Sequence, residues 1–128
     1  MIVDTSALVA VIVGEPDAEA HLRAMLSADT LGVSAATLAE AMVVVEARQG
    51  QEAALDLAAL LAEVEAEIVP FDEDQAEAAA SGWRRFGKGR HPAALNLGDL
   101  YSYALAKTRG EPLLFKGNDF TATDVQRA

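Results

Sequence analysis

Short apolar runs alternate with longer segments of helical periodicity along the chain. The short runs are predicted β-strands at residues 2–4, 31–34, 67–70 and 112–115. The longer segments are predicted helices because capping residues or glycines flank them: residues 7–13, 17–27, 35–50, 51–65, 72–86 and 98–110. This alternation is typical of α/β proteins. It predicts a single compact domain, residues 1–128, with a parallel sheet sandwiched by helices.

The composition fits one packed domain and excludes several classes of protein. Apolar residues make up 52% of the 128 positions, and the absence of cysteine excludes disulfides and thiolate metal sites. No apolar run is long enough to span a bilayer, and the first residues lack the pattern of a signal peptide. We therefore expect a cytoplasmic protein without membrane contact. The formal net charge of −10 argues against non-specific binding to nucleic acids.

Four acidic residues stand at places that matter for a parallel sheet. Asp4 follows the first predicted strand, Asp99 opens the last predicted helix and Asp119 lies in the turn after the last strand. Each of these three has an ordinary structural interpretation as a helix cap or turn residue. Glu40 differs because residues 38–45 are apolar almost throughout, which predicts a helix buried on nearly every side. A buried carboxylate needs a partner, so Glu40 favours a functional role.

The four acids together are compatible with a metal site. Ligands of parallel α/β sheets bind beyond the carboxyl ends of the strands, where these residues could converge. Several carboxylates in one place need compensating positive charge, which a divalent cation supplies. Oxygen ligands favour Mg²⁺ or Mn²⁺, and such ions can activate water and stabilise a phosphoryl oxygen. Phosphodiester chemistry is therefore one hypothesis, and capping with turn formation is the other.

Four stretches of the chain resemble the PIN domain, and more narrowly the VapC toxins of bacterial type II toxin–antitoxin pairs. They are MIVDTSALVAVIVGEPDAE, SAATLAEA, LNLGDLYSYALAK and PLLFKGNDFTATDV. The resemblance extends over nearly the whole chain. It implies a parallel sheet sandwiched by helices, an endoribonuclease that depends on Mg²⁺ or Mn²⁺, and a cognate VapB-like antitoxin as partner.

The resemblance also implies roles for individual residues. Four acids would bind the metal and carry the catalysis: Asp4, Glu40, Asp99 and Asp119. The family's hydroxyl beside the first acid matches Ser6 or Thr5, and helix capping would then be left to one of these two. Some members have a further acid in the last turn, where this chain has Gly117 and Asn118. Asp124 is the candidate to replace it.

RNA contacts are expected where basic and aromatic residues occur together. The segment WRRFGKGR, residues 83–90, contains four of the ten basic residues: Arg84, Arg85, Lys88 and Arg90. Basic side chains can hold a nucleic-acid backbone while aromatic rings stack on bases. A solvated helix end with Trp83 in the core explains the segment equally well. Lys116, beside the last turn, is a further candidate for a phosphate contact.

Two partner surfaces and two other functions stay open at this point. Residues 53–65 are apolar on more faces than a surface helix needs, which fits a core helix, an antitoxin groove or a homodimer seam. The resemblance implies a homodimer.

An aspartate-dependent phosphatase would also place an acid after the first strand, although it usually has a second acid two residues later, where this chain has Ser6. A non-catalytic antitoxin-binding module would use the acids only as caps.

Overall fold

All four predicted strands pair in one parallel sheet. The computed structural model describes residues 1–128, with the strands in the order β3-β2-β1-β4. Their bounds are β1 Ile2–Val3, β2 Gly32–Ser34, β3 Glu67–Val69 and β4 Leu113–Leu114. In the inner strand β1, Ile2 lies opposite Gly32 of β2 on one side and Leu113 of β4 on the other. Each strand is one or two residues shorter than predicted, and the predicted fold class is confirmed.

Six helices connect and follow the strands, as the periodicity predicted. Their bounds are α1 Thr5–Val13, α2 Ala18–Leu26, α3 Ala35–Gln49, α4 Gln51–Glu63, α5 Glu73–Phe86 and α6 Leu97–Arg109. Each end lies within two residues of its predicted position because capping residues and glycines fix where the helices begin and end. None of the six is both long and apolar enough to cross a membrane.

The helices cover both faces of the sheet, and alternate strand residues point to opposite faces. Val3 and Leu114 belong to an apolar cluster with side chains of α1 to α4. Their neighbours Ile2 and Leu113 belong to a second cluster, which packs against α5 and α6. Successive side chains of a strand point to opposite sides, so even two-residue strands contribute to both cores. The carboxyl ends of β1 and β4 therefore lie between the two layers of helices.

Helix α3 is not buried on nearly every side, and that prediction is wrong. Only Thr37, Ala41 and Val45 of α3 are buried, whereas Met42 and Val43 are 42% and 69% exposed. Apolar character alone does not show whether a face packs inside the chain or remains available for another surface. Helix α4 does face the core through four residues: Ala53, Leu57, Leu60 and Leu61.

Candidate active site

The four predicted acids line one cavity at the carboxyl ends of β1 and β4. The cavity has a volume of about 420 Å³, and only two of its twelve lining residues are hydrophobic. Asp4 follows β1, Glu40 projects from α3, Asp99 lies in the first turn of α6, and Asp119 follows β4. Four separate segments thus place a carboxylate around the same cavity, as parallel topology makes possible.

Asp4 is held by donors on both of its carboxylate oxygens. It is only 4% exposed. Its Oδ2 accepts hydrogen bonds from the Ser6 amide at 3.0 Å and from Ser6 Oγ at 2.6 Å. Its Oδ1 accepts a hydrogen bond from Ser102 Oγ at 2.6 Å. These contacts orient a carboxylate that is almost withdrawn from solvent.

Asp4 is itself the N-cap of α1, so the prediction that Thr5 or Ser6 caps this helix is wrong. Its extended backbone and short side chain let the carboxylate reach the Ser6 amide in the first helical turn. Capping and a functional role are therefore not alternatives at this residue. Ser6 Oγ instead bridges Asp4 to the Lys116 backbone amide, which donates to it at 3.0 Å.

Thr5 borders the cavity with an unpartnered polar atom. Its side chain is 8% exposed, and its Oγ1 has no hydrogen-bond partner within the protein. A buried hydroxyl without a partner is unusual in a folded protein, and this one belongs to a residue that lines the acidic cavity.

Glu40 reaches the cavity because residue 98 is a glycine. A Cβ atom at Gly98 would lie 1.9 Å from Glu40 Oε2. Any larger residue would have to displace the carboxylate or the first turn of α6. The positive end of the α6 dipole lies at this turn and favours a nearby negative charge. No ion pair reaches Glu40 within the protein.

Asp99 is the third residue of α6 and forms a reciprocal capping box with Asn96, the N-cap of this helix. Its Oδ2 accepts from the Asn96 amide at 2.9 Å, and its own amide donates to Asn96 Oδ1 at 2.9 Å. The pKa of Asp99 is raised to about 6. Burial is the main cause, the charges of Asp4, Asp119 and Glu40 add to it, and the Asn96 hydrogen bond opposes it. The other three carboxylates are therefore close enough to Asp99 to repel its charge, and a cation beside Asp99 would relieve that repulsion.

Asp119 and Asp124 have different surroundings. Asp119 is exposed and lines the acidic cavity. Asp124 lies outside it and accepts hydrogen bonds from Tyr103 Oη, Arg85 and Lys107 at 2.9 to 3.0 Å. Burial raises the pKa of Asp124, but its hydrogen bonds outweigh burial and leave that pKa below the usual value. Asp124 ties the C-terminal segment to α5 and α6 and is not a fifth member of the acidic cluster.

The residues of the cavity fit a hard divalent cation bound with some of its water ligands. Their donors are carboxylate and hydroxyl oxygens, which Mg²⁺ and Mn²⁺ prefer. No three carboxylates are gathered closely enough to enclose an ion by themselves. An open cluster of this kind suits Mg²⁺, which keeps several waters when one or two carboxylates bind it. The repulsion that raises the pKa of Asp99 agrees with a cation at this position.

Two cationic side chains, Arg48 and Lys116, line the cavity together with the acids. Lys116 forms ion pairs with Glu15 and, at 3.3 Å, with Asp17. Arg48 Nη1 lies 3.5 Å from Glu15 Oε1. Lys116, Arg48 and Glu15 all line the cavity. A phosphate that enters would meet these cations beside the acids.

The other predicted RNA-contact residues lie away from the acids. Arg85 is paired with Asp124, and the Arg90 guanidinium lies 4.1 Å from the centre of the Trp83 ring. Lys88 lines a separate apolar cavity of about 570 Å³ between α5 and the start of α6, and Arg84 is exposed. Trp83 borders this apolar cavity and is 42% exposed, so it is not a core residue.

Comparison with known protein families shows which family this chain belongs to. The PIN domain profile matches residues 1–126. The chain belongs to the PIN-domain family. "Ribonuclease VapC" of Mycolicibacterium smegmatis is 47% identical over 125 residues, and the alignment covers 98% of this chain and 97% of that protein. The predicted family, including its VapC ribonuclease branch, is confirmed.

Solved structures share the fold of this PIN domain. VapC20 of Mycobacterium tuberculosis, described as a Sarcin-Ricin loop cleaving toxin, matches with a TM-score of 0.82 and 22% identity, over 99% of this chain and 97% of that one. VapBC-5 of the same organism, from a family of toxin–antitoxin systems, matches with a TM-score of 0.66 and 27% identity over the same shares. The four-stranded parallel sheet with helices on both faces is therefore the PIN fold.

Several residues of this PIN-domain site were not predicted from the sequence. Ser102 contacts Asp4, Thr37 contacts Ser102 at 3.1 Å, and Asn96 completes the capping box of Asp99. Ser102 lies three residues after Asp99, and Thr37 lies three residues before Glu40. Residues three apart lie on one side of a helix, so this spacing was a usable signal.

Proposed function

We propose that this chain is a divalent-metal-dependent endoribonuclease and the toxin of a VapBC-type pair. The observation that carries the proposal is the convergence of four carboxylates from four segments on one cavity, in a chain of the VapC ribonuclease branch. An arrangement that concentrates negative charge around an open cavity would repel RNA on its own. It suits phosphodiester hydrolysis once a cation is bound.

In this proposal, Asp4 and Asp99 hold the cation most directly. Both are fixed by hydrogen bonds, Asp4 through Ser6 and Ser102, and Asp99 through Asn96. Glu40 and Asp119 complete the cluster directly or through water. Bound Mg²⁺ or Mn²⁺ supplies an activated water and neutralises charge at the phosphoryl group. The protein's contribution is to hold the carboxylates in place beside an open side where RNA can enter.

Lys116 is the basic residue best placed to meet the RNA backbone near the acids. It lines the acidic cavity, and its ion pairs with Glu15 and Asp17 hold it at the mouth. Arg84, Lys88 and Arg90 would contact RNA further from the reacting phosphate. Arg85 does not line this cavity and is paired with Asp124, so its role is mainly structural.

The proposed partners are RNA, a VapB-like antitoxin and a second copy of the chain. The antitoxin follows from the family, since structural relatives come from toxin–antitoxin systems. The exposed apolar side chains of α3 and of the start of α6, Met42, Val43 and Leu97, offer surface for protein contacts. The proposed place of action is the cytoplasm.

The test is cleavage of total small RNA by purified, antitoxin-free protein. Reactions contain Mg²⁺, Mn²⁺ or EDTA, and Asp99→Asn is compared with Asp56→Asn. Asp56 is an exposed residue of α4 outside the cavity, so its variant controls for the loss of one carboxylate. We expect discrete fragments from the wild type and from Asp56→Asn in metal, and none in EDTA or from Asp99→Asn.

Two outcomes would contradict the proposal. Wild-type cleavage in EDTA that Asp99→Asn reproduces would exclude a role for the acidic cavity. Intact RNA in every reaction, with folded protein that binds its antitoxin equally in EDTA and in Mg²⁺, would favour a non-catalytic binding module.

A further inference from the structure

Two chains of hydrogen bonds end on Asp4, one on each carboxylate oxygen. In the first, the Lys116 amide donates to Ser6 Oγ, which donates to Asp4 Oδ2. In the second, Ser102 Oγ donates to Asp4 Oδ1 at 2.6 Å, and Thr37 Oγ1 lies 3.1 Å from Ser102 Oγ. The second chain joins α3, α6 and the end of β1 below the cavity.

The proton directions of the second chain follow from the donors that are available. A hydroxyl group has one proton, and the proton of Ser102 is used toward the Asp4 carboxylate. Thr37 must therefore donate to Ser102. The hydrogen bond that Ser102 accepts from Thr37 makes Ser102 a better donor to Asp4, because hydrogen bonds in a chain polarise one another.

The pair is fully buried. Ser102 and Thr37 are both 0% exposed. Water does not compete for their hydrogen bonds, and loss of the Ser102 hydroxyl would remove the donor of a nearly buried carboxylate oxygen. The side chains of Ser102 and Thr37 thus bear on Asp4 and on no group at the surface.

The spacing along the chain connects the pair to the other acids. Thr37 lies one helical turn before Glu40 on α3, and Ser102 lies one turn after Asp99 on α6. A rigid link between Thr37, Ser102 and Asp4 therefore also sets the distance between the helices that present Glu40 and Asp99.

We propose that Ser102 and Thr37 are positioning residues for metal binding. They fix the rotation of the Asp4 carboxylate and its spacing from Glu40 and Asp99, and leave the cavity-facing side of Asp4 for the cation. This inference rests on the proposed metal-dependent function. It adds a pair that acts through Asp4 and does not touch metal or substrate.

The experiment measures Mn²⁺ affinity by calorimetry on the folded, full-length protein. The variants are Ser102→Ala, Thr37→Val and their double mutant, with Thr37→Ser as the variant that keeps a hydroxyl. Thr108→Val is the control on α6, because the Thr108 hydroxyl donates to the Ala104 carbonyl at 2.9 Å, away from the cavity. Unfolding temperatures in EDTA are measured in parallel.

We expect Ser102→Ala to weaken Mn²⁺ binding by about tenfold, as loss of a group that orients a metal ligand typically does. Thr37→Val should weaken it less, and Thr37→Ser and Thr108→Val should bind like the wild type. Because Thr37 acts through Ser102, the double mutant should bind Mn²⁺ no more weakly than Ser102→Ala alone.

Unchanged Mn²⁺ affinity in Ser102→Ala and Thr37→Val would overturn the inference. Lower unfolding temperatures of these variants in EDTA would then show that the two hydroxyls stabilise the fold without positioning a metal ligand. If Ser102→Ala does not fold, equal affinity of Thr37→Val and Thr37→Ser overturns it. A wild-type protein that binds no Mn²⁺ would contradict the proposed function as well, so the two failures are distinguishable.

Discussion

Replacing Asp99 with asparagine should make the metal-free protein more stable. Asp99 is half-buried among three other carboxylates, and its pKa is raised from 3.8 to about 6. A carboxyl group with a raised pKa binds its proton more tightly in the folded than in the unfolded state. The folded state therefore loses stability as the pH rises from about 4 to about 6, and the whole penalty is present above pH 6. Asparagine carries no such penalty.

The size of the effect follows from the same shift. A rise from 3.8 to about 6 corresponds to at most about 3 kcal/mol of unfolding free energy. Because Asp99 is partly exposed, solvent screening reduces this figure, and we expect about 1 kcal/mol. Asparagine can still accept the Asn96 amide hydrogen bond, so the helix start is kept. For a domain of this size, 1 kcal/mol raises the unfolding temperature by about 4 °C.

Thermal unfolding followed by circular dichroism checks this prediction in EDTA at pH 4.5, 6 and 7.5. Asp99→Asn should unfold at a higher temperature than the wild type at pH 7.5, and the gap should narrow toward pH 4.5. Added Mg²⁺ should stabilise the wild type and leave Asp99→Asn unchanged. Asp56→Asn should follow the wild type throughout. An Asp99→Asn protein that is no more stable at pH 7.5, or a gap independent of pH, would refute the reasoning.

Three further predictions concern other contacts. Gly98→Ala should lower the rate of metal-dependent RNA cleavage at least about tenfold, because the new Cβ displaces the Glu40 carboxylate. Circular dichroism should show that the variant is folded, and a wild-type cleavage rate would contradict the prediction. Asp124→Asn should weaken three hydrogen bonds and lower stability by about 1 kcal/mol in urea unfolding, with cleavage retained well below the unfolding temperature. Lys116→Ala should raise the KM for RNA and leave calorimetric Mn²⁺ affinity unchanged, because its backbone amide still supports Ser6; an unchanged KM would exclude the phosphate contact.

Strand and helix positions were predictable because the apolar runs and caps are local signals. The parallel sheet followed from the alternation of short strands and helices. The environment of Glu40 was not predictable in the same way. An apolar run such as residues 38–45 has the same appearance whether its outer face packs in the core or faces outward, and Met42 and Val43 face outward.

The site was predictable in its acids and much less in what supports them. Strand ends and a helix start placed Asp4, Asp99 and Asp119 where they could converge, but each also fitted a cap or turn, and the resemblance to the PIN domain singled them out. The pairing of Arg85 with Asp124 spans 39 residues, and no local pattern reports it. Capping and ligand roles were treated as alternatives for Asp4, yet one carboxylate has two oxygens with several lone pairs and can serve both.

The dual role of Asp4 has a consequence for anyone who wants an inactive form of this protein. Asp4→Ala removes the α1 cap and leaves the Ser102 hydroxyl without its acceptor, so the fold is weakened together with the chemistry. In a cell, such a variant would be cleared by proteases more quickly, and its lost effect would partly reflect low abundance. A substitution at position 4 therefore changes activity and protein abundance together. We expect Asp99→Asn to separate them, because it should abolish cleavage while leaving the metal-free protein more stable.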